Sequence, residues 1–146
     1  MSDFEPRDPG YEERVRASFA RQGFMKTLGA EMGPVDPGAV DVVLPHGDHL
    51  GQQHGFLHGG VVAALADTAC GYAAMTLVEP GATVLTVEFK VDLLRPAEGE
   101  RFVAHGRVIK NGRTLIVCHC DVFADERHIA TMAATMMAVR DRGISD

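Results

Sequence analysis

The clearest pattern in the chain is the alternation of apolar and charged residues between positions 87 and 93, where Val87, Phe89, Val91 and Leu93 are the apolar set. A period of two places successive side chains on opposite sides of a strand, so this segment predicts a half-buried β-strand. Similar segments predict three further strands, at 101–110, 114–124 and 127–140.

The segments between these strands predict how the strands pair. Asn111-Gly112 is a strong signal for a tight hairpin. Residues 95–99 and 124–126 also have the composition of turns. We therefore expect an antiparallel meander, in which each of the four strands pairs with the next along the chain.

A long apolar run dominates the first half of the chain, from residue 59 to about residue 78. It is too long for one strand, and its many alanines favour a helix. Pro80 and Gly81 end it. Because the run is apolar nearly all round, we expect the helix to be buried rather than to lie on a surface.

The remaining elements are shorter. Residues 10–23 predict an amphipathic helix, and residues 24–28 a further helical turn. Strands are expected at 30–35 and 39–45, joined by a turn at 36–38.

Together these elements predict an α+β fold. One face of an antiparallel sheet needs to be covered, and one central helix can cover it. We expect a long central helix wrapped by a curved antiparallel sheet of five to six strands, with an N-terminal helix. The 146 residues suffice for one sizeable core. The predicted division is an N-terminal helical segment, 1–24, and a single domain, 25–146.

Charge and composition exclude several classes of function. The chain has 20 acidic and 14 basic residues, a formal charge of −6, which argues against a nucleic-acid partner. No uncharged apolar window of about 18 residues predicts a membrane span. The three cysteines are odd in number and lack the spacing of a disulfide framework, so we expect reduced thiols and a cytoplasmic protein.

Asp67 is the residue that fits the predicted core least well. It is the only charged residue between Asp48 and Glu79, and its helical neighbours at three and four positions are small and uncharged. A buried carboxylate without a partner is costly. Asp67 therefore faces a solvated groove, pairs with a distant cation, or is a catalytic carboxylate beside a pocket. The small neighbours, which leave room for a ligand, favour the last alternative slightly.

His58-Gly59-Gly60 opens the long helix, where backbone N–H groups are unpaired and the helix dipole is positive. Glycines there let a ligand oxygen approach closely, as in an oxyanion site. An ordinary tight loop is the simpler interpretation. Asp67 lies about 12 Å further along the axis. Because that is too far to share one carbonyl group, we expect a site shared across a dimer interface.

Gln52 and the run HGFLHGGVVAALADTA, residues 54–69, resemble the hotdog-fold thioesterases, in particular the phenylacetyl-CoA thioesterase (PaaI-like) group. That group has a polar amide, then His-Gly-Gly, then an acid eight residues after the first glycine. The strands LTVEFKVDLLRPAEGE and GRTLIVCHCDVF also resemble the family. The resemblance extends over roughly residues 25–140.

The resemblance implies roles for four catalytic residues. Asp67 would be the nucleophile or the general base, and the Gly59 N–H would polarise the thioester carbonyl. Gln52 would orient the attacking water or the thioester, although many members have asparagine there. Thr86 matches a position that often orients water. The implied assembly is a homodimer or homotetramer with active sites at the dimer interface, and no cofactor or metal is implied.

An acyl-CoA substrate would also need binding residues. His54 is expected at the mouth of the pocket, and His58 and Gly60 at the start of the helix. Among the candidates for the CoA phosphates, which include Lys90 and Arg95, we favour Arg113. Lys110 is a further candidate.

Three other interpretations stay open at this point. A hotdog dehydratase or hydratase could pair His54 or His58 with Asp67. A non-catalytic acyl-CoA binding module is a second alternative. The histidines at 46, 49, 54 and 58 could hold a metal, but the segment is a loop without cysteine, so we expect none.

Overall fold

The computed structural model describes residues 3–144. The helices are α1 (Tyr11–Ala20), α2 (Gly23–Leu28) and α3 (Gly59–Met75), with a short 3₁₀ helix, Asp48–Leu50. The strands are β1 (Glu31–Asp36), β2 (Ala39–Pro45), β3 (Thr83–Leu93), β4 (Arg101–Asn111), β5 (Leu115–Ala124) and β6 (Arg127–Val139). Within this range no helix has the length and apolar character needed to cross a membrane.

All six strands form one antiparallel sheet in the order β1-β2-β4-β5-β6-β3. The hairpins β4–β5 and β5–β6 follow the predicted turns, but the four-strand meander is wrong. β3 pairs with β6, because both edges of β4 are already occupied by β2 and β5. The segment at 94–100 is therefore a crossover, and β3 lies at an edge of the sheet.

The sheet curves around α3, as predicted. The side of the helix towards the sheet is buried, with Leu65, Ala66, Ala69 and Ala73 wholly inaccessible. Gly106 lets β4 approach α3 closely, since a Cβ there would overlap the backbone of Ala69.

The prediction that α3 is buried on nearly all sides is wrong. One stripe faces away from the sheet and is half-buried, and it holds small or polar residues: Ala63, Ala64, Asp67, Thr68 and Gly71. The sheet covers only part of the helix circumference, so this stripe is open for other contacts.

The N-terminal helix packs on the same core, with Val15 fully buried. The two Nη atoms of Arg14 donate to four carbonyl oxygens at and beyond the end of α3, those of Met75, Val78, Glu79 and Ala82. Met75 is the last residue of α3, so its carbonyl has no partner within the helix, and a cation there is favourable at the negative end of the helix dipole. The division into 1–24 and 25–146 stays a prediction, and its outermost residues, 1, 2, 145 and 146, lie outside the described range.

Candidate active site

The Asp67 carboxylate lies on the open stripe of α3 and is held by a neighbouring strand. The Thr86 hydroxyl of β3 donates a hydrogen bond to Asp67 Oδ1, with the oxygens 2.8 Å apart. Among residues 3–144, Asp67 forms no ion pair. The structure therefore brings the two predicted residues together, and the alternative of a distant cation pairing with Asp67 finds no support in the described range.

A cleft of about 460 Å³ opens beside this pair. Its walls come from three elements, with Asp67, Gly71 and Tyr72 from α3, Thr86 from β3 and Ser18 from α1. A carboxylate at the side of such a cleft can approach a bound ligand while a neutral hydroxyl keeps its orientation.

At the start of α3, the two glycines that were predicted to contact a ligand differ in the hydrogen bonding of their backbone N–H groups. His58 is the N-cap, and its Nδ1 accepts a hydrogen bond from the Gly60 N–H at 2.8 Å. The Gly59 N–H has no hydrogen bond to any described residue. Gly59 is also confined, because a Cβ there would lie 2.9 Å from Leu93 Cδ1. Gly59 therefore retains a donor for a ligand, while His58 occupies the donor of Gly60.

Gln52 presents its amide nitrogen to the outside of its loop. Its Oε1 accepts hydrogen bonds from the backbone N–H groups of His54 and Phe56, the latter at 3.3 Å. Two N–H donors need an acceptor, so the oxygen must face them and the NH₂ group points away. The side chain thus offers donors rather than an acceptor to a ligand.

Gln52 and Gly59 line a second cleft, of about 370 Å³, together with Val62, Leu93 and Arg95. None of the residues around it is shared with the Asp67 cleft. The structure therefore brings the four predicted catalytic residues together as two pairs, Gln52 with Gly59 and Asp67 with Thr86.

Three of the four cations predicted for the CoA phosphates, Lys90, Lys110 and Arg113, lie outside both clefts. Lys90 is exposed on β3, and its Nζ pairs with Asp92 at 3.0 Å. Arg113 is exposed in the turn between β4 and β5. Arg95, a further candidate from the sequence, lines the cleft of Gln52 and Gly59 and is anchored by a 2.7 Å hydrogen bond to the His128 carbonyl oxygen.

The histidines of the loop before α3 are dispersed. His46 pairs with Asp48 at 2.9 Å, and His54 is exposed. In the described part of the chain, no three histidine, cysteine, aspartate or glutamate side chains are grouped as metal ligands would be. The expected absence of a metal stays a prediction.

A thiol competes poorly with Asp67 as the reactive group of this region. A hydrogen bond with Cys120, followed by burial, raises the pKa of Cys70, which lies on α3. Burial also raises the pKa of Cys118. Both thiols therefore stay protonated and unreactive at neutral pH.

The sequence did not mark the wall of the cleft that α1 and Gln22, the N-cap residue of α2, contribute. Gln22 Nε2 donates to the Tyr72 hydroxyl at 3.2 Å, and Ser18 lies at the same distance from it. Phe19 packs edge-on against the Tyr72 ring, with 5.8 Å between centroids. No local sequence pattern could have signalled Ser18 and Gln22, because their contact with Tyr72 joins residues at least 50 positions apart.

The fold is of the hotdog type, with an acidic residue on the central helix that the sheet wraps. The family model of the thioesterase superfamily matches residues 54–131, from the Gln52 loop into β6. The chain belongs to the thioesterase superfamily and is a thioester hydrolase, which favours hydrolysis over the dehydratase, hydratase and binding-module alternatives.

Solved structures and relatives agree with this assignment. A thioesterase family protein from Silicibacter pomeroyi is 53% identical, with 90% of this chain and 99% of that one covered and a TM-score of 0.87. The medium/long-chain acyl-CoA thioesterase YigI of Escherichia coli is 32% identical over 56% of this chain and 61% of its own length. The E. coli PaaI protein shares the fold at 21% identity, with 88% and 93% covered and a TM-score of 0.81.

Proposed function

We propose that the protein is a cytoplasmic acyl-CoA thioesterase that hydrolyses an acyl or aryl-acyl thioester to the free acid and CoA. The observation that carries this proposal is the Asp67 carboxylate, held by the Thr86 hydroxyl at the side of a cleft. The cytoplasmic location rests on the three buried free cysteines, which are compatible with a reducing compartment.

Asp67 would act in one of two ways. It would attack the thioester carbonyl carbon and expel CoA thiolate, giving a mixed anhydride that water then hydrolyses. Alternatively, it would take a proton from water while the water oxygen attacks that carbon, and CoA thiolate leaves after the tetrahedral intermediate collapses. Thr86 would hold the carboxylate in position in both cases.

The Gly59 N–H would stabilise the charge that develops on the carbonyl oxygen. Gln52 supports this side of the site, because its outward NH₂ group can donate to the thioester oxygen. Arg95 is the favoured cation for CoA phosphates, since it lines the same cleft. His54, Lys90 and Arg113 would contribute to CoA binding only from outside the two clefts, and Gly60 and His58 would shape the helix start.

A homodimer would join the two half-sites. β3 is an edge strand whose apolar side chains are exposed, including Val87 at 54% and Leu93 at 57%. In antiparallel pairing of β3 with a second copy, centred between Phe89 and Lys90, Thr86 faces the other copy's Leu93. Because Thr86 holds Asp67 and Leu93 abuts Gly59, the two pairs of catalytic residues then meet across the interface. Pairing of two such dimers would give a homotetramer.

A panel of acyl-CoA thioesters assayed for thiol release tests the proposed activity. We expect release of CoA from at least one medium-chain or aryl-acyl thioester. Label found in the Asp67 carboxylate after a single turnover in ¹⁸O-water would identify direct attack, because general-base catalysis places the label only in the product acid. Ligand binding without thiol release, or water addition to an enoyl-CoA instead, would overturn the proposal.

A further inference from the structure

Arg21 brings a positive charge to the cleft of Asp67. It is the C-cap residue of α1, is exposed, and lines the cleft together with its neighbour Gln22. Its Nη1 donates a hydrogen bond to the Ala17 carbonyl oxygen at 3.2 Å, which anchors the guanidinium without neutralising it. A guanidinium has five N–H donors, so most of them stay available to a ligand.

Other arginines show how a cation that only stabilises the fold is used. Five of them form ion pairs with carboxylates of the same chain, namely Arg7, Arg14, Arg16, Arg107 and Arg140. Arg21 forms no ion pair among residues 3–144, although Asp67 lines the same cleft. The cation and the carboxylate are thus held apart in one cleft, and both can bind a ligand.

The groups beside Arg21 add a further donor. Gln22 Nε2 donates to the Tyr72 hydroxyl at 3.2 Å, which uses one of its two amide hydrogens. Tyr72 is only 8% exposed and also contacts the Ser18 hydroxyl, so it holds Gln22 in place. The second amide hydrogen of Gln22 and the guanidinium of Arg21 therefore come from consecutive residues that line one cleft.

These donors fit an anionic group better than a neutral one. Guanidinium binds carboxylate and phosphate strongly, because two parallel N–H groups match two of their oxygens. Asp67 is the only acidic residue among the described residues that line the cleft. Tyr72 lies about 7.5 Å beyond Asp67 along the axis of α3. A substrate that reacts at Asp67 can therefore carry its anionic group on towards Arg21.

We propose that Arg21, supported by Gln22, binds an anionic group of the substrate, a phosphate or a carboxylate, while Asp67 acts on the thioester. This inference rests on the proposed thioesterase activity and adds a binding site to it. Both residues precede residue 54, where the match to the thioesterase superfamily begins. An acyl-CoA has two sources of such a group, the phosphates of CoA and a carboxylate on the acyl group.

The test compares Arg21→Gln with the original chain on four thioesters, the hexanoyl and adipoyl esters of CoA and of pantetheine. Pantetheine lacks the phosphates of CoA, and hexanoyl lacks the terminal carboxylate of adipoyl. We expect kcat/KM to fall about tenfold more for the thioesters that carry the bound group than for those that lack it, the usual effect of one charge-assisted hydrogen bond. Any loss common to all four is set aside.

The pattern of losses identifies the group. A larger loss on both CoA esters identifies a phosphate, and a larger loss on both adipoyl esters identifies a carboxylate. Arg21→Lys keeps the positive charge and should restore part of the difference between substrates. Arg101→Gln is the control for charge removal, since Arg101 is exposed at the start of β4 and outside both clefts. Its kcat/KM should stay within about twofold on all four thioesters.

The outcomes separate this inference from the proposed function. If the original chain releases thiol from none of these thioesters and none of the wider acyl-CoA panel, the proposed function fails and this inference fails with it. If the original chain is active but Arg21→Gln lowers kcat/KM equally for all four thioesters, or for none, the anion site at Arg21 is overturned and the proposed function stands.

Discussion

Asp67 is oriented by a neutral hydroxyl instead of a cation within the described residues. An arginine or lysine partner would neutralise the carboxylate and compete with substrate for its oxygens. A hydroxyl donor occupies one lone pair of Oδ1 and leaves Oδ2 for water or for a carbonyl carbon. This arrangement is the one that the proposed role of Asp67 requires.

Asp67→Asn tests this role at the residue scale. Asparagine has the same shape and can still contact Thr86, so we expect the fold and thermal stability to be retained. It can neither attack a carbonyl nor accept a proton from water, so kcat should fall by about 10²–10⁴-fold. Thiol release and circular dichroism measure the two properties. Turnover close to that of the original chain, in a folded variant, would remove Asp67 from the mechanism.

Asp67 could be singled out from composition, since one charge among small residues stands out in the sequence. The open stripe around it, and which glycine at the start of α3 keeps an unbonded N–H, could not be predicted. His58 takes up the N–H of Gly60, and Gln52 turns its oxygen inward to two backbone donors. Such choices depend on loop geometry, which no local periodicity encodes.

At the scale of elements, a long alanine-rich apolar run located α3, and periodicity located most strands, to within a few residues. The predicted pairing of β3 with β4 was wrong, because the composition of residues 95–99 is typical of both a hairpin turn and a crossover. Only the competition for the edges of β4 decides between them. Arg14, which ties α1 to the end of α3, was equally invisible, because its four carbonyl partners are distant in sequence.

Two glycines allow a paired test of how α3 packs. Gly106→Ala places a Cβ against the Ala69 backbone and should lower the free energy of unfolding by about 1–3 kcal/mol or more. Gly71→Ala adds the same atom into open space and should raise it by about 0.4–1 kcal/mol. Urea unfolding measures both. Equal effects of the two substitutions would contradict the described contact between α3 and β4.

Glu79, in the segment after α3, forms an ion pair with Arg140, and the contribution of this pair to stability depends on pH. Hydrogen bonding from Arg140 of the segment after β6 lowers the pKa of Glu79 to about 2 from an ordinary value of 4.5. The pair therefore stabilises the fold fully above about pH 4.5, and this contribution is lost as the pH falls through about 2. Glu79→Gln should lower the melting temperature at pH 7. The gap between the two proteins should close between pH 4.5 and pH 2, and a gap independent of pH would contradict the pairing.

For the whole molecule, the sequence predicted that one chain cannot hold a complete site, because about 12 Å of helix separates Gly59 from Asp67. The structure adds that the two groups line separate clefts. The size and lining of the clefts could not be predicted, because α1, α3 and the crossover after β3 meet only in the folded chain.

A carboxylate mechanism needs no metal, and this can be checked on the intact protein. We expect thiol release to be unchanged after dialysis against EDTA. Loss of activity that Zn²⁺ restores would replace the carboxylate mechanism with a metal-bound hydroxide. It would also move the catalytic role to the histidine-rich loop, residues 46–54.

Mixing two inactive variants tests the composite site most directly. Gly59→Pro removes the N–H at the first position of α3, where proline is tolerated after the extended backbone of His58. Gly59→Ala is its control, because it adds a Cβ and keeps the N–H. Asp67→Asn supplies the second inactive chain.

If each site takes Asp67 from one copy and Gly59 from the other, an equal mixture of Gly59→Pro and Asp67→Asn, unfolded and refolded together, regains activity. Random pairing makes half of the dimers mixed, and each mixed dimer has one intact site of two, so about a quarter of the original activity is expected. A refolded mixture no more active than the separate variants, with mixed dimers demonstrated by mass spectrometry, would contradict the shared site.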